Sequence, residues 1–344
     1  MLNSSPPQTW PVRAEADPPA DWDAFLGGCP EANIFHSTLW TQAVCRNIPG
    51  TEAIWLTVRL ENRLVGGLVA VRCRRGPFVR IVSHYDGTSG GPVVVSDLAP
   101  DQQNGIFDSL VAAYAGLRQS RVWVRTFSLS AAAEQRYGSI LQNTNWCRQA
   151  IQAAIMPLAG GLEHVEKHVL KKNRRNERNR SLKRGCSYGV TTASDILVAY
   201  YPIYRAAAER WGITPTPLGL LRDMLAADGD HTFLTYVLFE DCVIGGHLNF
   251  HWGDRVIAWN GATLPEHENK FPATLLVWAD LEEACRRQAA WLDLGGSGGK
   301  SSLANFKKLL GAEGEIRGHY LLESRLQKIW NMIRRIYRKH GDGS

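Results

Sequence analysis

The 344-residue chain has no apolar run near the roughly 18 residues a membrane-spanning helix needs; runs such as Val65–Val71 stop well short. Its first twenty residues, Met1–Ala20, are rich in Pro and Ser. They lack the basic-then-apolar order of a secretory leader, so none is expected. The seven cysteines are odd in number and scattered, with no C-x-x-C pair. That argues for reduced thiols in a cytosolic protein, against a disulfide frame, and against a zinc or other metal site. Hydrophobic residues at 44% and charged residues at 21% exclude a disordered or fibrous chain. At about 150 residues per domain, the length points to two domains, each able to bury a core.

What is present is positive charge in two places. Lys167–Arg184 holds nine Lys/Arg and one acid, a local +8, and Arg325–Lys339 holds six Lys/Arg and no acid, a local +6. The whole chain is only +6, so the remainder is acidic. Basic patches on an acidic body attract polyanions: phosphate-rich ligands, RNA, or an anionic membrane surface. Read alone, each patch is equally well a solvated helix face.

The sequence also repeats. Leu60-Glu-Asn-Arg-Leu-Val-Gly-Gly-Leu-Val69 aligns with Phe239-Glu-Asp-Cys-Val-Ile-Gly-Gly-His-Leu248. Each copy reads as a strand, a polar turn, and a strand opening on a Gly pair, which is a hairpin signature. A Gly pair inside a strand predicts a bulge or a close backbone approach. Around the first hairpin the pattern predicts a helix at 39–46, a strand at 78–84, a helix at 101–117, a strand at 121–127, a helix at 131–142 and a strand at 149–158. Around the second, at 232–250, it predicts helices at 196–210 and 218–227. A strand at 255–262, a helix at 272–287, a strand at 291–294, a helix at 301–310 and a strand at 315–321 follow. Strands alternating with helices in the same order twice predict two α/β units of one design. The expected division is a flexible N-terminus at 1–20, domains at 21–160 and 161–322, and a basic amphipathic helix at 323–344.

Several local motifs carry a family likeness. Phe35-His36-Ser37 with Trp40 resembles an F-H-S-x-x-W start, and Gly90-Gly91-Pro92 a first-half G-G-P. Lys171–Gly185 resembles a K-x-x-R-x-x-I-R-x-A-x-x-x-G helix. Asp293-Leu294-Gly295 with Phe306-Lys307 resembles D-F-G … F-K-x-x-F-G. Their order, from Trp22 to Tyr320, resembles the GNAT acyltransferase fold in tandem, as in the FemABX-type aminoacyltransferases and related acetyltransferase-like envelope and polysaccharide proteins. The resemblance implies an α/β (α+β) class with two GNAT-like domains, mixed sheets and a basic C-terminal helix. It implies N- or O-acyl transfer from acyl-coenzyme A or aminoacyl-tRNA, without a metal, to a small-molecule or envelope-precursor acceptor. Two features depart from the family. The loop Leu264–Phe271, where coenzyme A enzymes carry a glycine-rich turn, has no glycine, and there is no FemA-type coiled-coil insertion for tRNA.

From the resemblance, Lys307 is the first catalytic candidate, for an oxyanion or a phosphate. Phe306 would shape the site, and Asp293 would orient the acceptor or accept a proton. Asn269 and Lys270 precede a helix starting at Pro272, where phosphate is favoured, so they are donor-site candidates. Arg175 and Arg178 are candidates for phosphate pairing. His36, Trp40 and Tyr85 are candidates for lining the substrate cleft. Each has a plainer reading: surface lysine, turn cap, loop, or core aromatic.

Other patterns are set aside. Leu294-Gly-Gly-Ser-Gly-Gly-Lys-Ser301 misses a P-loop by one position, since Leu294 stands where Gly is required. His164 and His168 have helical spacing but no Glu between them in the zinc-protease position. His247, after the second Gly pair, reads by default as a packed strand histidine. The C-terminal helix, with Leu322, Leu326, Ile329, Ile333 and Ile336 on one rhythm, is expected to dock on its own domain. The alternative is a peripheral contact with the inner membrane surface. Within the acyl-transfer reading the basic run 167–184 could meet tRNA phosphates; the competing functional readings are a nucleic-acid-binding protein using 167–184 and a membrane-associated non-catalytic protein.

Overall fold

The computed structural model describes residues 9–83, 85–117, 122–142, 144–227, 230–324 and 327. The helix expected at 323–344 lies almost wholly outside the described residues. The first half runs β1 (Arg13–Glu15), α1 (Trp22–Leu26), α2 (Thr38–Asn47), β2 (Thr51–Leu60), β3 (Arg63–Arg75), β4 (Phe78–Val82), β5 (Val93–Val94), α3 (Pro100–Gly116), β6 (Val122–Leu129), α4 (Ala131–Leu141) and β7 (Cys147–Pro157). The second half adds α5 (Gly161–His164), α6 (Lys172–Lys183), β8 (Cys186–Thr191), α7 (Ser194–Trp211), α8 (Leu218–Ala227), β9 (Thr232–Phe239) and β10 (Cys242–Trp252). It ends with β11 (Arg255–Thr263), α9 (Pro272–Arg286), β12 (Trp291–Gly296), α10 (Ser301–Leu309) and β13 (Glu313–Glu323).

The chain groups into two compact units, Met1–Ala150 with Arg317–Ser344, and Ile151–Ile316. In the first unit the strand order is β1-β2-β3-β4-β6 followed by the end of β13, with β5 against β3. In the second it is the end of β7, then β12-β11-β10-β9-β8. Among the described residues, β4 pairs parallel with β6 and β11 parallel with β12.

Two features differ from the sequence reading. The strand expected to complete the first half, β7, pairs through Ala153–Pro157 with β12 of the second unit. The last strand, β13, returns through Gly318–Glu323 to pair with β6 of the first unit. Period and propensity name a strand but not its partner, because partner choice is set by distant packing. Within the segment 1–20, Arg13–Glu15 form β1, paired with β2, and Trp10 is buried.

The repeated hairpins form for the reason the sequence gives. Glu61 and Asn62, and Glu240 and Asp241, all take positive φ, as a tight two-residue hairpin turn requires. The Gly pairs are close approaches. A side chain on Gly67 would strike the Trp22 indole, and one on Gly246 the Tyr200 ring. Both rings belong to helices laid on the sheet, and both are among the largest fully buried side chains. Burying each contributes on the order of 2–3 kcal/mol. In the first unit, Phe107 and Tyr137 stack at 4.3 Å, and the Tyr114 hydroxyl donates across β4 and β6 to the Ile81 and Thr126 carbonyls. In the second, α9 presents Leu275, Leu276, Trp278, Leu281 and Ala284 to a core shared with Phe233, Val256 and Leu292.

Candidate active site

The second unit has a sheet that opens. β11 and β12 run parallel, yet their register covers only Arg255–Ile257 against Trp291–Asp293. Beyond that point each strand keeps only its outer neighbour. β11 continues beside β10 through a bulge, where Asn260 takes a φ of +54°. β12 follows β7 to Gly296, with an irregularity between Asp293 and Gly296 and a positive φ at Gly295. The two parallel strands therefore diverge toward their carboxyl ends, where open α/β sheets bind ligands.

The helix after β11 begins at the same end. The turn Pro265–Lys270 is a 3-10 helix without glycine, and Phe271 enters α9 with a φ of +58°. Pro272 is the first residue of α9, and no side chain caps its first turn. Such a terminus favours an anion through its free N–H groups and its dipole.

Lys307 and Asp293 shape the floor of the opening. Lys307 is buried, and its Nζ donates to the carbonyls of Leu294 at 2.6 Å, Gly295 at 3.1 Å and Gly296 at 2.8 Å. It clamps the last turn of β12. Burial lowers its pKa to about 8, with Asp293 pulling the other way. Asp293 is buried too; its Oδ1 accepts from the Gly295 amide at 2.8 Å, and Arg255 lies 3.6 Å from its Oδ2. Phe306 packs against the core beneath the Arg174 guanidinium, 4.8 Å away.

The basic run is bound to the protein's own surface. On α6, Arg178 stacks 4.0 Å over Trp278 of α9 and pairs with Glu166 at 2.6 Å. Arg175 donates to the carbonyls of Glu166 and Lys167 at 3.0 and 3.2 Å. Glu177 joins Arg174 at 2.5 Å to the Thr274 hydroxyl at 2.7 Å, tying α6 to the first turn of α9. Lys270 sits 3.7 Å over the Phe239 ring, and the Asn269 carbonyl accepts from Arg184. Much of the charge that the sequence offers to a polyanion thus holds α6 and the turn 265–270 in place.

The structure brings Asp293, Phe306, Lys307, Asn269, Lys270, Arg175 and Arg178 into one unit. His36, Trp40 and Tyr85 belong to the other. His36 is buried beneath the α2 start, its Nδ1 accepting from the Asn33 amide at 3.2 Å, and burial lowers its pKa to about 4. Trp40 is a core residue, edge-on to Phe35 at 5.0 Å. Tyr85 opens a short 3-10 turn and its carbonyl accepts from the Thr88 hydroxyl at 2.8 Å. Among the described residues no His/Cys/Asp/Glu group is arranged to hold a metal.

One cluster stands outside the sequence candidates. Asp280, fully buried on α9, accepts from Thr235 at 2.5 Å, Asn249 at 3.0 Å and the His247 Nδ1 at 2.7 Å. The available signal was an acid inside the apolar run Leu275–Leu281 of a buried helix.

Residues 168–308 match the acetyltransferase (GNAT) domain family. No curated protein matches the chain significantly by sequence. Among solved structures, FemX shares 13% identity, covers 93% of this chain and 99% of its own, and superposes with a TM-score of 0.70. The C-terminal domain of a putative lysylphosphatidylglycerol synthetase from Agrobacterium fabrum shares 8%, covering 90% and 95%, at a TM-score of 0.58. A tandem GNAT protein from the clavulanic acid biosynthesis pathway shares 15%, covering 91% and 98%, at 0.54. At these identities the likeness is one of fold. Residues 168–308 are thus similar to the acetyltransferase (GNAT) domain family, within a two-unit chain whose fold is similar to those of FemX and of a tandem GNAT protein.

Proposed function

We propose that the protein is an acyltransferase. It moves an acyl group from an activated ester to an amine or hydroxyl, with the donor in the opening between β11 and β12. The observation that carries this reading is that divergence, beside the uncapped start of α9. A donor phosphate would sit at the helix start, with Lys270 and Asn269 in the preceding turn. The acyl carbonyl would lie between the unpaired strand edges, where backbone N–H groups can meet a developing oxyanion. Catalysis then rests on orientation and fixed dipoles. Lys307 and Asp293 act by holding the β12 edge in shape, and Phe306 by packing beneath it.

The donor we favour is acyl-coenzyme A, the usual partner of a GNAT domain, supported by the internal engagement of the α6 arginines, which leaves less charge for tRNA. Aminoacyl-tRNA is the second reading, favoured by the glycine-free turn at 265–270 and the FemX-like fold. The acceptor class we propose is an envelope or polysaccharide precursor, with the enzyme in the cytoplasm. No helix among the described residues is long and apolar enough to cross a membrane. Calorimetric titration of the intact protein with acetyl-coenzyme A, and separately with alanyl-tRNA and uncharged tRNA, tests the reading. Saturable binding of one acyl donor is expected, and binding of neither would sink it.

A further inference from the structure

The Asp280 cluster has the form of a base and its holder. A buried carboxylate without partners costs several kcal/mol, so this one needs its three donors. Thr235 pairs with His247 across β9 and β10, and Asn249 lies two residues further along the same face. Both donate to Asp280 Oδ1, which leaves Oδ2 for the imidazole alone. A carboxylate only accepts, so Nδ1 carries the ring proton and Nε2 presents its lone pair. Thr235 and Asn249 fix the carboxylate, and the carboxylate fixes the tautomer.

Where Nε2 points matters more. The imidazole lies over Gly261, in space that a Cβ there would fill. Gly261 sits at the bulge of β11, after the last residue of that strand paired to β12. The Nε2 end of the ring thus reaches β11 at Gly261, just past the stretch paired to β12, and among the described residues nothing hydrogen-bonds its Nε2. The His247 side chain is 15% exposed while Asp280 is sealed. A histidine kept only for packing has no need of a glycine cradle, an oriented carboxylate and an open acceptor nitrogen together.

We infer that His247, oriented by Asp280, is the general base of the acyl transfer, an assignment that rests on the reading proposed above. As the acceptor nitrogen or oxygen bonds to the acyl carbon, Nε2 takes its proton. The bond from that carbon to the coenzyme A sulfur, or to the tRNA ribose oxygen, breaks. The departing thiolate or alkoxide takes the proton back from the imidazolium. The Asp280 carboxylate faces the imidazolium and stabilises it.

The test uses the full chain, with acetyl-coenzyme A and alanyl-tRNA as alternative donors and water as the stand-in acceptor. Single-turnover donor hydrolysis and donor Kd are measured for wild type, His247→Gln, His247→Ala and Asp280→Asn. His247→Gln should lose about 10²- to 10⁴-fold in rate, with Kd within about twofold. Added imidazole should restore part of the His247→Ala rate, and Asp280→Asn should move the pH profile. An unchanged rate in His247→Gln, or loss of donor binding in place of rate, overturns the assignment while the acyl-transfer reading stands. Wild type that neither binds nor hydrolyses either donor defeats that reading, and the assignment with it. Should the variants fail to fold, carbethoxylation of wild type replaces them. Turnover should fall in step with His247 modification mapped by mass spectrometry, and donor should protect it. Turnover that survives the modification overturns the assignment.

Discussion

Replacing Lys307 with Met removes the ammonium that clamps the carbonyls of Leu294, Gly295 and Gly296. Met keeps the length of the chain and the apolar contacts, so the effect isolates the charge and its hydrogen bonds. The Leu294 carbonyl belongs to a buried residue, and leaving it unmet costs about 1–3 kcal/mol. The two glycine carbonyls lie nearer water and cost less. The pH dependence is more telling. Burial holds Lys307 near 8 in the folded protein, against 10.5 for the free side chain. Between those values the unfolded chain binds more protons than the folded one, so wild-type stability rises with pH through that window. The gain is about 3 kcal/mol, and Lys307→Met has no group to supply it. Urea unfolding at pH 7 and again near pH 10.5 reads both quantities. The variant should be less stable at pH 7, and its deficit should widen by about 3 kcal/mol at the higher pH. A deficit that stays constant or shrinks as pH rises would refute the claim that Lys307 is a buried, solvent-starved clamp.

Three further outcomes follow from the same geometry. Gly261→Ala should push the His247 imidazole off its position and lower acyl transfer by about 10²-fold, with donor Kd little changed and the thermal unfolding temperature lowered, because the displaced ring leaves buried Asp280 one donor short; an unaffected rate would show that the imidazole position does not matter. His36, held near 4 by burial against an ordinary 6.5, makes the folded protein lose stability as pH falls from 6.5 toward 4, by about 3 kcal/mol. His36→Gln should flatten that slope in acid denaturation curves. Arg178→Ala should destabilise by about 2–3 kcal/mol, through loss of its stacking on Trp278 and its pair with Glu166. Its effect on nucleic-acid affinity should be small, and a steep loss of RNA binding in a salt titration would restore the polyanion reading of α6.

The fold was largely legible because its signals are local. Turn chemistry places the turn between β2 and β3, alternation places β9–β10 within a residue or two, and the amphipathic rhythm does the same for α3, α8 and α9. What escaped was long-range. Nothing within Cys147–Pro157 says that this strand pairs with β12, and nothing within Gly318–Glu323 says that it pairs with β6. The very short β1 and β5 carry too few residues for a period to show. At the site, Lys307 and Asp293 came from motif order, and the structure gives them a structural task at the end of β12. The arginines of α6 read as a free patch, because sequence cannot show that Trp278, Phe306 and Phe271 wait beneath them. His247 was visible, but its significance depends on Asp280, thirty-three residues away on another element.

The location of the donor is the point on which everything else turns. Hydrogen-exchange mass spectrometry on the full chain, with and without acetyl-coenzyme A or alanyl-tRNA, reads it directly. Slower exchange is expected at the amides of Ala273 and Thr274 and along Asn260–Thr263 and Leu294–Gly296, with α6 unchanged for acetyl-coenzyme A. A donor that binds yet protects none of these segments would contradict a site between β11 and β12 at the start of α9.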